Sequence, residues 1–155
     1  MVSKGNGHYD VSVTAGCPNN KVSIGVMADM NGKNQSMGAP VEFRVKRVPD
    51  PIAMIANQTT GVISKTVLSA AGAIIPTMKD FDFDLHFIIL SFTLTINLHG
   101  DLIEVQSTNN QLTPDMVKKI QSAPNGTKVY LENIKAKGPD GSFRSLAPIN
   151  LKLSN

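Results

Sequence analysis

Apolar and polar residues alternate with a period of two along much of the 155-residue chain, and this pattern constrains the fold more than any other feature. Successive side chains of a β-strand point to opposite faces, so such alternation predicts strands with one buried face and one solvated face. The apolar members before residue 48 are Tyr9, Val11, Val13 and Ala15, then Val22, Ile24, Val26 and Ala28, then Val41, Phe43 and Val45. The chain is therefore predicted to be built mainly of β-strands.

The segment from Phe81 to Ile96 also alternates, but its apolar residues change face partway along. Those up to Ile89 occupy odd positions, whereas those from Leu90 onward occupy even positions. A slip of one residue sends every later side chain to the opposite face, so we predict a β-bulge between Ile88 and Leu90, or a long strand that crosses between two sheets. Both arrangements are typical of a β-sandwich.

Two prolines interrupt the strand pattern at Val48-Pro49-Asp50-Pro51. Proline cannot donate to a sheet ladder and stiffens the chain, so we place a domain boundary here. The sheet predicted for residues 1–48 is thin and buries too little to be stable by itself. Residues 49–155 are predicted to form a C-terminal, antiparallel, immunoglobulin-like β-sandwich.

One helix is predicted within this all-β domain. Thr113 is a good N-cap, Pro114 suits the first helical position, and Met116 and Ile120 stack one turn apart. The stretch from Ile52 to Ile75 is less regular: Ile63, Val67 and Leu68 favour a strand, and residues 70–75 a turn or a short helical segment. The predicted fold class is thus an all-β sandwich with one short inserted helix.

Composition excludes several functions. The net charge is +3, but the chain has no Trp and two Tyr, so it lacks the aromatic partners that a nucleic-acid-binding protein uses for stacking. The single cysteine, Cys17, excludes an internal disulfide framework. There is no run of about 18 apolar residues that would span a bilayer. No catalytic motif or phosphate-binding loop is present, so we expect no enzymatic activity, no cofactor and no small-molecule substrate.

Asp82, Asp84 and His86 would project from one face of the predicted strand. Two carboxylates and an imidazole could bind a divalent metal or act as an acid/base pair. They could equally form the solvated face of an amphipathic strand, and nothing nearby supplies a further ligand, so no metal is assigned to them.

Two polar projections are candidate partner contacts. The first is the helix 114–122 with Lys118 and Lys119, and the second is the turn 138–144 with Asp140 and Arg144. Ordinary solvent-exposed surface is the alternative interpretation of both.

Three strings together carry a resemblance to a known family. They are Phe-Arg-Val-Lys-Arg-Val-Pro-Asp-Pro from residue 43, Phe-Asp-Phe-Asp from residue 81 with the apolar strand after it, and Tyr-Leu-Glu-Asn-Ile-Lys-Ala-Lys-Gly-Pro-Asp from residue 130. In this order and spacing the chain resembles the C-terminal periplasmic part of the GldM/PorM family of gliding motility and type IX secretion, over roughly residues 40 to 155. Residues 1 to 40 match the later strands of the family's preceding domain more loosely. The resemblance therefore implies that residues 1–48 are the trailing strands of a preceding β domain, completed by upstream strands or by strand exchange with a second protomer.

The resemblance implies a mechanical role. It implies a homodimeric periplasmic shaft, anchored in the inner membrane through a segment outside this sequence, where a GldL-type partner forms the motor. It also implies that the distal end, to which this chain would belong, meets a ring of GldK/GldN-type proteins under the outer membrane. An extracellular adhesion or glycan-binding sandwich is the alternative, although a chain without Trp offers few aromatic rings for sugars.

Overall fold

The computed structural model describes residues 1–13, 18–79 and 85–155. The chain divides into two units, Met1–Val48 and Pro49–Asn155. Each is described by itself. The predicted stretch Phe81–Asp84 and Cys17 lie outside the described residues.

The first unit consists of short strands that pair two by two. Three separate antiparallel ladders form: β1 with β2, β3 with β6, and β4 with β5. A 3₁₀ turn at Pro18–Asn20 precedes β3. The strands are β1 (Val2–Gly5), β2 (His8–Asp10), β3 (Lys21–Ile24), β4 (Met27–Met30), β5 (Lys33–Ser36) and β6 (Val41–Arg44).

None of the described side chains in the first unit is buried. Phe43, for example, is 52% exposed although it lies in a paired strand. The alternation correctly predicts strands at β3 and β6, but the expectation that one face of each is covered is wrong for this chain alone. The reason is that no described element of the unit forms a second layer over the two-stranded ladders.

The second unit is built around a six-stranded sheet. Five strands follow the order β11-β10-β12-β14-β8, and β13 pairs with one end of β12; all pairs are antiparallel except β14 with β8. A separate antiparallel pair joins β7 to β9. The elements are β7 (Ile52–Met54), β8 (Thr60–Ser64), α1 (Lys65–Ala71), β9 (Ile75–Thr77), β10 (Ile88–Leu98), β11 (Asp101–Ser107), α2 (Pro114–Ser122), β12 (Lys128–Lys137), β13 (Phe143–Ser145) and β14 (Ile149–Ser154).

One continuous core lies on one face of this sheet. The sheet supplies alternate residues of its strands, and β7 and both helices pack against them. The face that carries them is called the core face, and the opposite one the outer face. Fully buried side chains include Phe92, Leu94, Ile96, Leu131, Ile134, Ile149, Leu68, Met116 and Ile120. The all-β class is confirmed, with two short helices where one was predicted.

The change of face in β10 arises from a β-bulge, as predicted. Ile89 pairs with Ala136 but Ser91 pairs with Lys135, so Leu90 is the extra residue. A second shift follows on the partner strand, because Thr93 pairs with Glu132 and Asn133 has a φ of 54°. Both strands therefore present apolar residues to the core on each side of the shift.

Both helices begin at a hydroxyl cap. The Thr113 side chain accepts a hydrogen bond from the Met116 backbone N–H at 3.3 Å, which confirms the predicted start of α2. Ser64 accepts from the Val67 N–H at 3.2 Å in the same way, and Gly72, with a φ of 64°, ends α1. The expectation of a strand at Val67 is thus wrong, because the Ser64 cap and Gly72 define a helix there.

Candidate partner-contact surface

Helix α2 presents Lys118 and Lys119 while its other side is embedded in the core. Met116 and Ile120, one turn apart, are fully buried. Lys118 is exposed, whereas the Lys119 side chain is 26% exposed and its Nζ lies 3.6 Å from Asp115 Oδ1. Lys119 is thus partly engaged within the helix, and Lys118 presents its charge to solvent.

Three polar contacts fasten α2 to α1, and one of them runs from Gln121 Nε2 to the Lys65 carbonyl at 3.4 Å. Gln121 Nε2 donates to Ser69 Oγ at 2.7 Å, and Lys65 Nζ donates to the Ala123 carbonyl at 3.1 Å. The bond from Lys65 Nζ also satisfies a carbonyl at the helix C-terminus, which has no intrahelical partner. Lys118 is therefore carried on a helix held by both the core and its neighbour.

The turn between β12 and β13 is closed by its own side chains. Asp140 Oδ1 accepts from the Ser142 backbone N–H at 3.0 Å and from Ser142 Oγ at 2.6 Å. The Gly141 N–H donates to the Gly138 carbonyl at 3.0 Å. A Cβ at Gly138 would lie 2.7 Å from Asp140 Oδ1 and 3.2 Å from a Phe87 ring carbon, so a side chain here would displace the Asp140 carboxylate.

Arg144 lies beneath this turn and not on its surface. Its side chain is 4% exposed, and its guanidinium lies 3.4 Å from Asp50 Oδ1 and 3.3 Å from Asp140 Oδ2. Its Nε is buried and has no hydrogen-bond partner in the part of the chain that the structure describes. The two carboxylates, each about half exposed, compensate the buried charge and tie residue 50 to the turn.

The structure thus brings Asp140 and Arg144 together and adds Asp50, which the sequence did not suggest. Alternation along β13 explains the burial: Phe143 points to the outer face and is exposed, so Arg144 points to the core face. From the sequence alone, the apolar Phe143 would be expected in the core and the charged Arg144 in solvent. Partner contact through Lys118, Lys119, Asp140 or Arg144 stays a prediction.

The proposed metal ligands can be placed only in part. Asp82 and Asp84 lie outside the described residues. His86 is exposed and precedes β10, so it does not belong to that strand. Over residues 1–13, 18–79 and 85–155, no group of three His, Cys, Asp or Glu side chains is placed to hold a metal ion.

Two open grooves are lined mostly by polar residues. One, of about 550 Å³, lies on the second unit and is lined by Asn97, Leu102, Lys128, Tyr130 and the loop 125–127. The other, of about 440 Å³, lies on the first unit and is lined by Asn19, Asn20, Lys21 and residues 44–47. Neither groove brings together a nucleophile, a base and an oxyanion donor.

The fold and this surface define an all-β domain with a closed core and charged elements fixed on its exterior. Residues 49–154 match the family described as the GldM C-terminal domain, and the chain belongs to that family. Its members are components of gliding motility and type IX protein secretion. None of the curated proteins compared with the chain gives a match. No helix among the described residues combines the length and apolar character needed to cross a bilayer.

Proposed function

We propose that the chain is a non-catalytic module at the distal end of the periplasmic shaft of a gliding motility and type IX secretion motor. It docks on a ring of GldK/GldN-type proteins at the outer membrane and transmits force to it. A part of the protein outside this sequence anchors it in the inner membrane and meets a GldL-type partner. The proposal rests on membership of the GldM C-terminal family and on the following features of the two units.

The observation that carries the proposal is the uncovered first unit. Its paired strands expose large apolar side chains, among them Val41 and Phe43. Burying one such side chain is worth about 1.5–3 kcal/mol, so strands of this kind gain stability only when other polypeptide covers them. A second copy of the chain, forming a homodimer, or strands from upstream in the same protein would supply that cover.

The second unit has the construction expected of a part that bears load. The ten-residue β12 lies inside the sheet, with β10 on one side and β14 and β13 on the other. Asp50, between two prolines at the start of the unit, is tied to the buried Arg144. A pull applied at Pro49 therefore reaches the sheet through a fixed contact as well as through the chain.

The docking surface proposed here consists of Lys118, Lys119 and the turn around Asp140. These charged side chains stand on elements that are already immobilised, so binding a partner costs little further ordering of the backbone. Arg144 acts from within, because its ion pairs set the position of the turn.

A binding assay with the purified GldK/GldN-type ring tests the docking role. We expect the chain to be retained on the immobilised ring, and the double variant Lys118→Glu with Lys119→Glu to bind roughly tenfold more weakly, since rim charges of this kind steer association. Lys152→Glu, an exposed lysine on β14, is the matched control and should bind like the wild type. Failure of the wild-type chain to bind the ring contradicts the proposal, and equal loss in the control shows a non-specific charge effect.

Light scattering on the full chain tests the homodimer. A dimer that covers β6 should dissociate in Phe43→Glu and persist in Phe143→Glu, which places the same charge on an exposed phenylalanine of the second unit. A monomer at all concentrations indicates instead that upstream strands of the same protein cover the first unit.

A further inference from the structure

Strand β11 is an edge of the main sheet. Its seven residues pair with β10 in an unbroken antiparallel register from Asp101 to Ser107. Along its other side, no backbone hydrogen bond joins Asp101–Gln106 to any further segment that the structure describes. Natural sheets usually protect such an edge with charged side chains, above all lysine, with proline or with a bulge; β11 has no lysine, proline or bulge, and its charged residues are Asp101 and Glu104.

The hairpin geometry shows which backbone groups remain available. Leu98 pairs with Asp101 across the two-residue loop His99-Gly100, whose φ angles of 56° and 97° are typical of a type I′ turn. The pair that closes such a loop exchanges both of its hydrogen bonds, and bonded and non-bonded pairs then alternate. The N–H and C=O groups of Leu102, Glu104 and Gln106 therefore point away from β10.

Side chains along this edge select the chemistry of an added strand. On the core face, Ile103 and Val105 are half-buried at the margin of the core, so a neighbouring apolar side chain would extend that core. On the outer face, Glu104 is exposed, and Leu102 is 66% exposed. Asp101 and Glu104 are the only charged residues of β10 and β11, and both are acidic.

An acidic residue also lies on the outer face of β12, the neighbour of β10. Glu132, on β12, lies in the row of Thr93 and Gln106, and its Oε1 accepts a hydrogen bond from Thr95 Oγ1 at 2.5 Å. Lysines of the outer face lie on β12 on both sides of Glu132, Lys135 in the row of Ser91 and Lys128 at the other end of the strand, whereas β10 and the edge strand β11 carry no lysine or arginine. An added strand with lysine or arginine on its outer face would pair with this acidic edge.

A second copy of β11 is a poor occupant. The antiparallel register that pairs all three outward-facing positions matches Leu102 with Gln106 and places Glu104 directly opposite Glu104. Like charges in directly opposed positions destabilise a strand pair. The edge is therefore complementary to a different, basic sequence.

We propose that β11 binds an extended segment of a partner protein in which apolar and basic residues alternate, and that this segment adds to the sheet as a further antiparallel strand. Apolar residues of the segment cover Ile103 and Val105, and its basic residues face Glu104. Backbone bonds to Leu102, Glu104 and Gln106 supply the affinity, and the side chains supply the selectivity. The proposal deepens the docking role proposed above and rests on it.

Titration of the full chain with three synthetic peptides, followed by backbone amide NMR, tests the proposal. The peptides are an alternating Lys-Val sequence, the same sequence with its central Val replaced by Pro, and an alternating Glu-Val sequence. The Lys-Val peptide should shift the amides of Leu102, Glu104 and Gln106 and bind roughly tenfold more tightly than the other two. Equal binding of the proline peptide shows charge attraction without strand addition and overturns the proposal, as do shifts confined to other elements.

Substitutions at Gln106 distinguish the contribution of its backbone N–H to peptide binding from that of its side chain. Gln106→Pro removes the outward N–H without removing a ladder bond to β10 and should weaken Lys-Val binding roughly tenfold, whereas Gln106→Ala keeps the N–H and should bind within about twofold of the wild type. Glu104→Gln, which keeps the N–H but removes the charge, should weaken binding by a smaller factor. Equal binding by Gln106→Pro and Gln106→Ala, each confirmed folded by circular dichroism, overturns the proposal. The proline peptide gives the same test without any variant.

The ring-binding assay distinguishes this inference from the docking role itself. If the wild-type chain binds the ring and Gln106→Pro does not, both proposals are supported. If Gln106→Pro binds the ring normally, docking stands and β11 is not its site. If the chain binds the Lys-Val peptide at β11 but never the ring, strand addition stands and the docking role fails. A chain that self-associates through β11, with a dimer lost in Gln106→Pro, overturns the assignment of the occupant.

Discussion

The two units of this chain share one sequence pattern but differ in how far its apolar residues are buried. In both, apolar residues alternate with polar ones along short strands. In the second unit, alternate residues of β12 and β14 are fully buried, because β7 and two helices cover them. In the first unit the corresponding residues of β3 and β6 are at best half-buried. Period-two alternation therefore encodes a strand, while the cover over its apolar face comes from elsewhere.

The largest expected effect comes from removing one aromatic ring from each unit. Phe92→Ala should destabilise the second unit by about 3–5 kcal/mol, since Phe92 is 1% exposed and its loss leaves a cavity. Phe43→Ala should change the same quantity by less than about 0.5 kcal/mol. The free energy of unfolding is measured from the slowest-exchanging amides of β12. Equal losses would show that the two units unfold together.

Substitutions of Arg144 measure how much its ion pairs with Asp50 and Asp140 stabilise the second unit. Arg144→Met should destabilise the unit by roughly 1–3 kcal/mol, because Asp50 and Asp140 lose their shared counter-charge but are exposed enough for water to solvate them. Arg144→Lys keeps the charge without the planar fork and should lie between methionine and the wild type. Urea denaturation gives both values. An unchanged or raised stability in Arg144→Met would mean that the ion pairs contribute nothing net.

Substitution of Gly138 measures the cost of placing a side chain against the Asp140 carboxylate in the neighbouring turn. Gly138→Ala should cost about 1–2 kcal/mol, because the new Cβ forces the Asp140 carboxylate away from Ser142. Much of that cost should disappear when Asp140→Ala is combined with it, since the clashing atom is then gone. Gly141→Ala, whose Cβ meets nothing but whose φ is 77°, is the control for backbone strain. Thermal unfolding of the four variants and the wild type completes the cycle, and an undiminished cost in the double variant would rule out the clash.

The smallest effect compares two side chains that each accept one backbone hydrogen bond. Thr113→Ala removes the cap of α2 and should cost about 1 kcal/mol in the second unit. Asp29→Ala removes the bond from the Gly32 N–H to Asp29 Oδ1, 2.8 Å long, in the first unit. That change should leave the chemical-denaturation midpoint of the second unit unaltered. A shift of similar size from Asp29→Ala would show that the units unfold together.

Much of the second unit could be predicted because local signals and tertiary cover agree there. The bulge near Leu90, the N-cap at Thr113 and the strand from Ile149 onward follow from periodicity and capping alone. Helix α1 was missed because Val67 and Leu68 are apolar residues of high or moderate strand preference, and only the Ser64 cap and Gly72 signal a helix. In the first unit the alternation predicted strands, and the small number of strands indicated that further polypeptide is needed to cover them.

The contact surface was less predictable for a different reason. Lys118 is exposed on the helix that the sequence predicted, since the buried positions Met116 and Ile120 define the opposite side. Arg144 is internal because its position relative to Phe143 depends on the register of β13 against β12, which no local pattern encodes. The Asp50 contact joins residues 94 positions apart and follows from that register. The sequence shows where the charged residues are, but whether their side chains are buried depends on the long-range pairing of strands.

The paired shifts in β10 and β12 have an evolutionary consequence. The residue numbers of each pair add up to the same value as far as Ile89 with Ala136 and again from Thr93 with Glu132 onward along β10. The second shift therefore cancels the first. Deleting Leu90 alone would leave the other pairs in place and give β10 a regular alternation, because Ile89 and Phe92, which both face the core, would then be two positions apart. Deleting Asn133 alone would do the same for Leu131 and Ile134 on β12. Deleting both restores a regular ladder between the two strands. Descendants of this sequence are therefore expected to lose either extra residue independently, so that a change of one codon in length at either site is inherited without a compensating change at the other.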